Sequence, residues 1–221
     1  MTFSIVARVG DAYGVAVASK FIAVGSVVPA ARLGVGAIAT QAMAKVSYAA
    51  DGLELLAAGT SAPDTVARLT AADEGRDNRQ LGVVGASGQS TFTGPACMDW
   101  AGGVTGGDAD SGYAIQGNIL VGKHVVARMQ QAWLEDPRLP LATRLMRALV
   151  AGDNAGGDKR GRQSAALYAV APGAGYDHNG VMADLRIDDH PDATQELVRL
   201  VDLHDLYFGP PGPVLPRTTS R

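Results

Sequence analysis

Thr2-Phe3-Ser4-Ile5-Val6-Ala7-Arg8-Val9 is a run of strand length rich in apolar and β-branched residues, and Gly10-Asp11 follows it as a turn. Residues 13–19, Tyr13-Gly14-Val15-Ala16-Val17-Ala18-Ser19, repeat the pattern, so the chain opens on a β-hairpin. Residues 34–40 read as a third strand, and their unbroken small apolar character predicts burial on both faces. Three early strands with no helix between them make a parallel, doubly wound sheet a poor fit.

The same stretch carries a chemical possibility. Removal of Met1, expected ahead of so small a residue, leaves Thr2 with a free α-amine and a hydroxyl on one residue. An N-terminal amine has a pKa near 7.7–8.0, so about a tenth to a sixth of it is neutral at pH 7. That fraction can take the hydroxyl proton, which makes the residue a nucleophile with its own base. Met-Thr is a common beginning, so the remainder of the chain has to support the idea.

Further along, Leu53, Leu55 and Leu56 lie in a helical segment ending at Gly59. Ser61 reads as the N-cap of a second helix with Pro63 in its first turn. Residues 79–86, 90–93 and 111–116 read as strands. Val125, Val126, Met129 and Trp133 recur at helical spacing, as do Leu141, Leu145 and Leu149. Strands follow at 164–170 and 183–187, then a last helix at 193–208 capped by Asp192, with Gln195 as capping-box partner. Hairpin-linked strands alternating with paired helices predict an α+β fold: two stacked antiparallel sheets with helices outside. One domain is expected over residues 2–208, and a disordered proline-rich tail over 209–221.

Composition narrows the function. The chain has 221 residues, 47% apolar and 19% charged, and a net charge of −3. There is no basic block to bind nucleic acid or an anionic membrane. Cys97 is the only cysteine, so no internal disulfide forms, and a cytoplasmic location is expected. No leader or apolar run of spanning length is read. His124, His178, His190 and His204 show no metal spacing. Asp188-Asp189-His190-Pro191-Asp192 reads as a strand end and helix cap, not a metal site.

The densest polar cluster is Ala155-Gly156-Gly157-Asp158-Lys159-Arg160-Gly161-Arg162-Gln163-Ser164, immediately before a buried-looking strand. Such a loop can turn amides and cations toward an anion or an oxyanion, or it can be a solvated turn. Ser19-Lys20 ends the second strand, beside Thr2, where a lysine can act on the hydroxyl and lower the amine's pKa. Thr40-Gln41 ends the third strand, and Gln116-Gly117-Asn118 is either a turn or a set of substrate-orienting amides.

These stretches carry a resemblance. Thr2 to Ala7, Gly14 to Phe21, Gly34 to Gln41, Arg79 to Val84, Gln116 to Leu120, the 156–166 cluster and Asp188-Asp189-His190-Pro191 together resemble the bacterial and archaeal domain-of-unknown-function family 1028. That family in turn looks like the N-terminal nucleophile (Ntn) hydrolases, whose fold is a four-layer α-β-β-α sandwich. The resemblance implies that Thr2 stands where proteasome-type enzymes place their nucleophilic threonine. Those enzymes carry an aspartate where this chain has Ser19-Lys20, and a lysine where Arg32 is the nearest cation. Asp158 and Ser164 look similar to their Asp and Ser, in altered spacing.

The expectation is a hydrolase of a C–N bond in a small amide-like substrate. Thr2 is the nucleophile and base, Lys20 an electrostatic aid, and Asp158 and Ser164 orient the amine. Amides near Thr40-Gln41 or Gly156-Gly157 bind the oxyanion. Ser19, Thr40, Gln41, Gln116, Asn118 and Arg160 are the expected substrate contacts. No cofactor or metal is needed, a small-molecule substrate is the expected partner, and a homodimer is plausible. The alternatives are a non-catalytic protein binding a small anion between Lys20 and the Lys159-Arg160-Arg162 loop, or a scaffold recruiting a partner through its tail.

Overall fold

Side chains alternate along β1 (Thr2–Val9), and that alternation sets the order of the layers. Phe3, Ile5 and Ala7 pack with Met129, Trp133, Leu145, Met146 and Leu149, all on helices. Val6, on the opposite face, packs with Val15, Val17, Ala37, Ala39, Val84 and Ala114, all on strands. Each face of the strand therefore buries a different kind of partner, and neither is left to solvent. The computed structural model describes residues 2–208; the expected tail at 209–221 lies outside the described residues.

After β1 come β2 (Ala12–Ser19), β3 (Pro29–Arg32), β4 (Gly36–Ala42), α1 (Ser47–Ala57), α2 (Ala62–Ala71), β5 (Arg79–Gly85) and β6 (Gln89–Thr93). Then follow β7 (Gly102–Gly107), β8 (Ser111–Asn118), α3 (His124–Glu135), α4 (Leu141–Asn154), β9 (Ser164–Val170), β10 (Val181–Ile187) and α5 (Ala193–Phe208). Six strands form one sheet in the order β10-β9-β2-β1-β8-β7, and four form a second in the order β3-β4-β5-β6. Paired strands run antiparallel throughout. Helices α3, α4 and α5 cover the larger sheet, while α1 and α2 cover the smaller one through Tyr48, Leu56, Val66 and Leu69. The result is the expected α-β-β-α sandwich. Among the described residues no helix is long and apolar enough to cross a membrane.

The hairpin, the third strand and the helices stand where the pattern put them, and Ser61 caps α2 by accepting the Asp64 amide at 3.2 Å. Two strands went unread. β3 opens on Pro29 and β7 is Gly-Gly-Val-Thr-Gly-Gly, compositions with weak strand signal. Both are edge strands, where proline and glycine are tolerated.

Strand ends are anchored by a polar cluster. Asp73 is buried and accepts from Arg79 Nε at 3.0 Å and from the Tyr48 hydroxyl at 2.8 Å. Arg79 also donates to the carbonyl of Met43, just past β4. These bonds tie α1, α2, β4 and β5 together at one end of the sandwich. The Arg79 and Tyr48 bonds hold the Asp73 carboxyl well below the usual carboxylate range. A depressed carboxyl stabilises the fold fully above its unfolded pKa, about 3.9, and that contribution fades as pH falls from there toward the folded value. The stability of the wild type, followed by urea unfolding, is therefore expected to fall below about pH 4 more steeply than that of Asp73→Asn. Equal slopes would contradict this role.

A second prediction comes from sheet packing. Gly82 on β5 lies against the side-chain amide of Gln116 on β8, and a β-carbon there would collide with it. Gly82→Ala is expected to cost about 1–3 kcal/mol in urea unfolding, as overpacking does in a filled core. A change within about 0.5 kcal/mol would show that the sheets separate more easily than described.

Candidate active site

At the end of the sandwich where β1 begins, the apolar core between the sheets gives way to a polar layer. The register explains why. Thr2 pairs with Asn118, and Ser19 pairs with Ser164. Thr2 Oγ1 lies 3.1 Å from Ser19 Oγ. Ser164, Ser19, Thr2 and Asn118 thus form one polar rung across β9, β2, β1 and β8. In the smaller sheet Gln41 pairs with Gln80 and Gln80 with Thr93, a second polar rung.

The two rungs interlock. Gln41 Nε2 donates to Gln80 Oε1 at 2.8 Å, and Asn118 Nδ2 donates to the same oxygen at 2.9 Å. Gln80 Nε2 donates to Thr93 Oγ1 at 2.9 Å and to the Gly117 carbonyl at 2.8 Å. One strand step inward, Ser4 Oγ donates to Gln41 Oε1 at 2.7 Å and accepts from Gln116 Nε2 at 2.6 Å. Thr91 Oγ1 donates to Gln116 Oε1 at 3.2 Å, which closes the network on β6. Ser4, Gln80 and Gln116 are completely buried. A buried amide is costly unless paired, and each of these is paired.

Thr2 is held by this network. Its carbonyl accepts from Gln41 Nε2 at 3.3 Å and from Asn118 Nδ2 at 3.5 Å, while its hydroxyl faces Ser19. The residue is 5% exposed. Backbone and hydroxyl are therefore both held by protein groups.

The other expected site residues fall into place differently. Gln41, Gln116 and Asn118, expected to touch substrate, are buried and bonded to protein groups, so their observed contacts fix Thr2 and the sheet register. Thr40 points to the other face of β4; its hydroxyl donates to the Lys45 carbonyl at 3.1 Å and its amide to the Val28 carbonyl at 3.1 Å. The amides of Gly156 and Gly157 donate to the carbonyls of Asp153 and Gly152. The oxyanion donors expected at Thr40, Gly156 and Gly157 are thus engaged within the fold. Lys20 lies one residue past Ser19, and strand alternation carries its side chain outward. Its ammonium is exposed and donates to the Arg162 carbonyl at 3.2 Å, while its amide donates to Asp158 Oδ2 at 2.7 Å. Arg32, the cation nearest the proteasome-type lysine in sequence, pairs with Gly36 at the far end of β4 and bonds Glu54 at 2.8 Å.

Asp158 is a fastening point. Its carboxylate accepts from the Lys20 amide, from the Arg160 amide at 2.8 Å and from the Arg160 guanidinium at 3.3 Å. Ser164 sits two strand spacings from Thr2, roughly 10 Å. Its hydroxyl accepts from the Val24 amide at 3.1 Å and donates to the Phe21 carbonyl. Both side chains therefore shape the loop that follows Ser19. The remaining cations of the 155–163 loop are matched: Lys159 with Asp99 at 3.7 Å, and Arg162 with Asp153 at 2.8 Å.

Beside Ser19 a cavity of about 200 Å3 opens under the larger sheet, lined by Phe3, Asp153, Asp158, Arg162, Ser164 and Thr194 among others. Loops at this end also expose Phe21, Ile22, Met43, Met98 and Val121. Ser4, Gln80, Thr91 and Thr93 are members of the polar network that sequence reading missed. Gln80 was detectable as a lone amide at the head of the apolar run Leu81 to Val84. Among the described residues no three His, Cys, Asp or Glu side chains are grouped to hold a metal.

Asp158→Ala leaves two amides and a guanidinium without their acceptor. It is expected to cost about 2–3 kcal/mol in urea unfolding and to speed hydrogen exchange at the Lys20 amide. Unchanged exchange at Lys20 would remove Asp158 from its fastening role.

Comparison with known proteins agrees with this architecture. Residues 2–197 match the model of DUF1028, described as a family of unknown function. The crystal structure of protein SPO2555 from Silicibacter pomeroyi, itself matched to DUF1028, is similar with a TM-score of 0.81 and 31% identity, over 92% of this chain and 89% of that one. No curated protein matches the chain. By sequence over nearly all its described length, and by fold, the chain belongs to the DUF1028 family.

Proposed function

We propose that this protein is an N-terminal nucleophile hydrolase that cleaves the C–N bond of a small amide-like substrate through Thr2, once Met1 has been removed. One observation carries the reading. Thr2 heads an inner strand of a four-layer α-β-β-α sandwich, with its hydroxyl 3.1 Å from Ser19 and its carbonyl gripped by Gln41 and Asn118. That layout resembles the Ntn hydrolases, where sandwich and terminal nucleophile occur together.

The chemistry follows from one residue. The neutral α-amine of Thr2 takes the proton from its own hydroxyl as Oγ1 attacks the substrate carbonyl carbon. The tetrahedral adduct collapses, the C–N bond breaks, and the ammonium returns its proton to the departing nitrogen. Water then attacks the resulting ester with the amine again as base, and releases the acid. Ser19 orients the hydroxyl. Asp158 and Ser164 are positioning residues: they fix the loop from Lys20 to Val24 that carries the chain away from Ser19. Lys20 contributes its backbone amide to that loop, with its ammonium turned toward the Arg162 carbonyl.

The test is release of ammonia or amine from a panel of small amides and ureides. Thr2→Ala is expected to lose turnover by about 1,000-fold or more with its fold intact. Thr2→Ser should retain part of it, and a chain extended ahead of Thr2 should be inactive because its amine is then an amide. Normal turnover by Thr2→Ala would contradict the mechanism.

A further inference from the structure

The cavity beside Ser19 is closed on one side by the start of α5. That helix has sixteen residues, and its hydrogen bonding begins with the Glu196 amide donating to the Asp192 carbonyl at 3.0 Å. The amides before Glu196 in the first turn have no acceptor within the helix. Asp192, expected to cap them, does otherwise. Its carboxylate faces Arg162 Nη1 at 3.5 Å, and its own amide donates to His190 Nδ1 at 3.1 Å. Among the described residues no side chain bonds the first-turn amides in its place.

A second observation is independent of the helix end. Thr194, in that first turn, lines the cavity and is 1% exposed, and its hydroxyl has no hydrogen-bond partner among the described residues. A buried hydroxyl without a partner is costly, so an unpaired hydroxyl on a residue that lines a cavity points to a place for a ligand atom. The two carboxylates in the wall do not oppose an anion there as free charges. Asp153 accepts from Arg162 at 2.8 Å, and Asp158 accepts from the Lys20 amide at 2.7 Å and from Arg160 at 3.3 Å. What remains uncompensated is the positive end of α5 and one hydroxyl donor.

We propose that this cavity is a carboxylate subsite, filled by the anionic end of the substrate, with the Thr194 hydroxyl and the first-turn amides of α5 as its donors. Ser19 lines the cavity and its hydroxyl lies 3.1 Å from that of Thr2; Thr2 itself is outside the lining, so a substrate anchored there has to extend past Ser19 to reach the nucleophile. The substrate class is then a small amide that carries a carboxylate a few bonds from the scissile carbonyl, on the scale of an N-acyl amino acid. This assignment rests on the reading of Thr2 as nucleophile for its meaning, but the binding itself does not require turnover.

The experiment uses the full chain carrying Thr2→Ala, so that nothing is consumed. Calorimetry compares N-acetylglycine with its neutral counterpart N-acetylglycinamide. Saturable binding of the acid is expected, at least about 10-fold tighter than the amide. Adding Thr194→Val, which has the same shape and no hydroxyl, should weaken the acid at least 10-fold without lowering the thermal midpoint. Thr194→Ser should keep binding. Equal affinity for both probes, unaltered binding by Thr194→Val, or loss of binding in Thr194→Ser would each overturn the subsite. Turnover in the wild type is a separate readout: binding of the acid with no hydrolysis of any amide counts against the nucleophile alone, whereas hydrolysis with no preference for carboxylate-bearing amides counts against the subsite alone.

Discussion

One oxygen, Oε1 of Gln80, accepts from Gln41 at 2.8 Å and from Asn118 at 2.9 Å, and so joins a strand of the smaller sheet to a strand of the larger one. Most of the interface between the sheets is valine and alanine, which pack without preferring one lateral register strongly over another. Directional amide bonds supply that preference. A slip by one residue would turn the whole polar set out of the interface and bring apolar neighbours into its place. Leaving a buried amide without its partner costs about 1–3 kcal/mol per group, so the interlock is an all-or-none feature of the fold. Thr2 inherits its position from it, because the same two donors that meet Gln80 also reach the Thr2 carbonyl.

Much of this was legible beforehand, and the failures have physical causes. Period-two and helical patterns located the hairpin, the helix pairs and the order of strands, since these elements bury one face each. β7 escaped because four of its six residues are glycine; its place is set by the need for a thin strand against Tyr113 and Thr91, a tertiary demand. Lys20 was read as lying toward Thr2 from its proximity in the hairpin, yet alternation already says that if Ser19 faces the interface its successor does not. Gln41, Gln116 and Asn118 were singled out as polar residues at strand ends. What their side chains touch depends on Gln80, a lone amide at the head of an apolar strand from a different part of the chain.

The 155–163 loop changes meaning in three dimensions. As sequence it is a concentration of cations suited to an anion. In the fold each cation meets a carboxylate or supports a turn, and Asp158 gathers amides from both sides of the loop. The loop is thus a wall whose cations are paired with carboxylates. Uncompensated polarity lies next to it, at the start of α5, where the capping aspartate has been drawn away by Arg162.

The account stands on Thr2 being the first residue of the working protein and reactive through its side-chain oxygen. Intact-mass and peptide mass spectrometry of the protein, before and after exposure to a β-lactone that acylates terminal threonine, examine both points together. The account predicts a mature chain beginning at Thr2 and a single acyl adduct on that residue. A chain that keeps Met1, or one that begins at Thr2 and stays unmodified while the folded protein takes up label elsewhere, would contradict it.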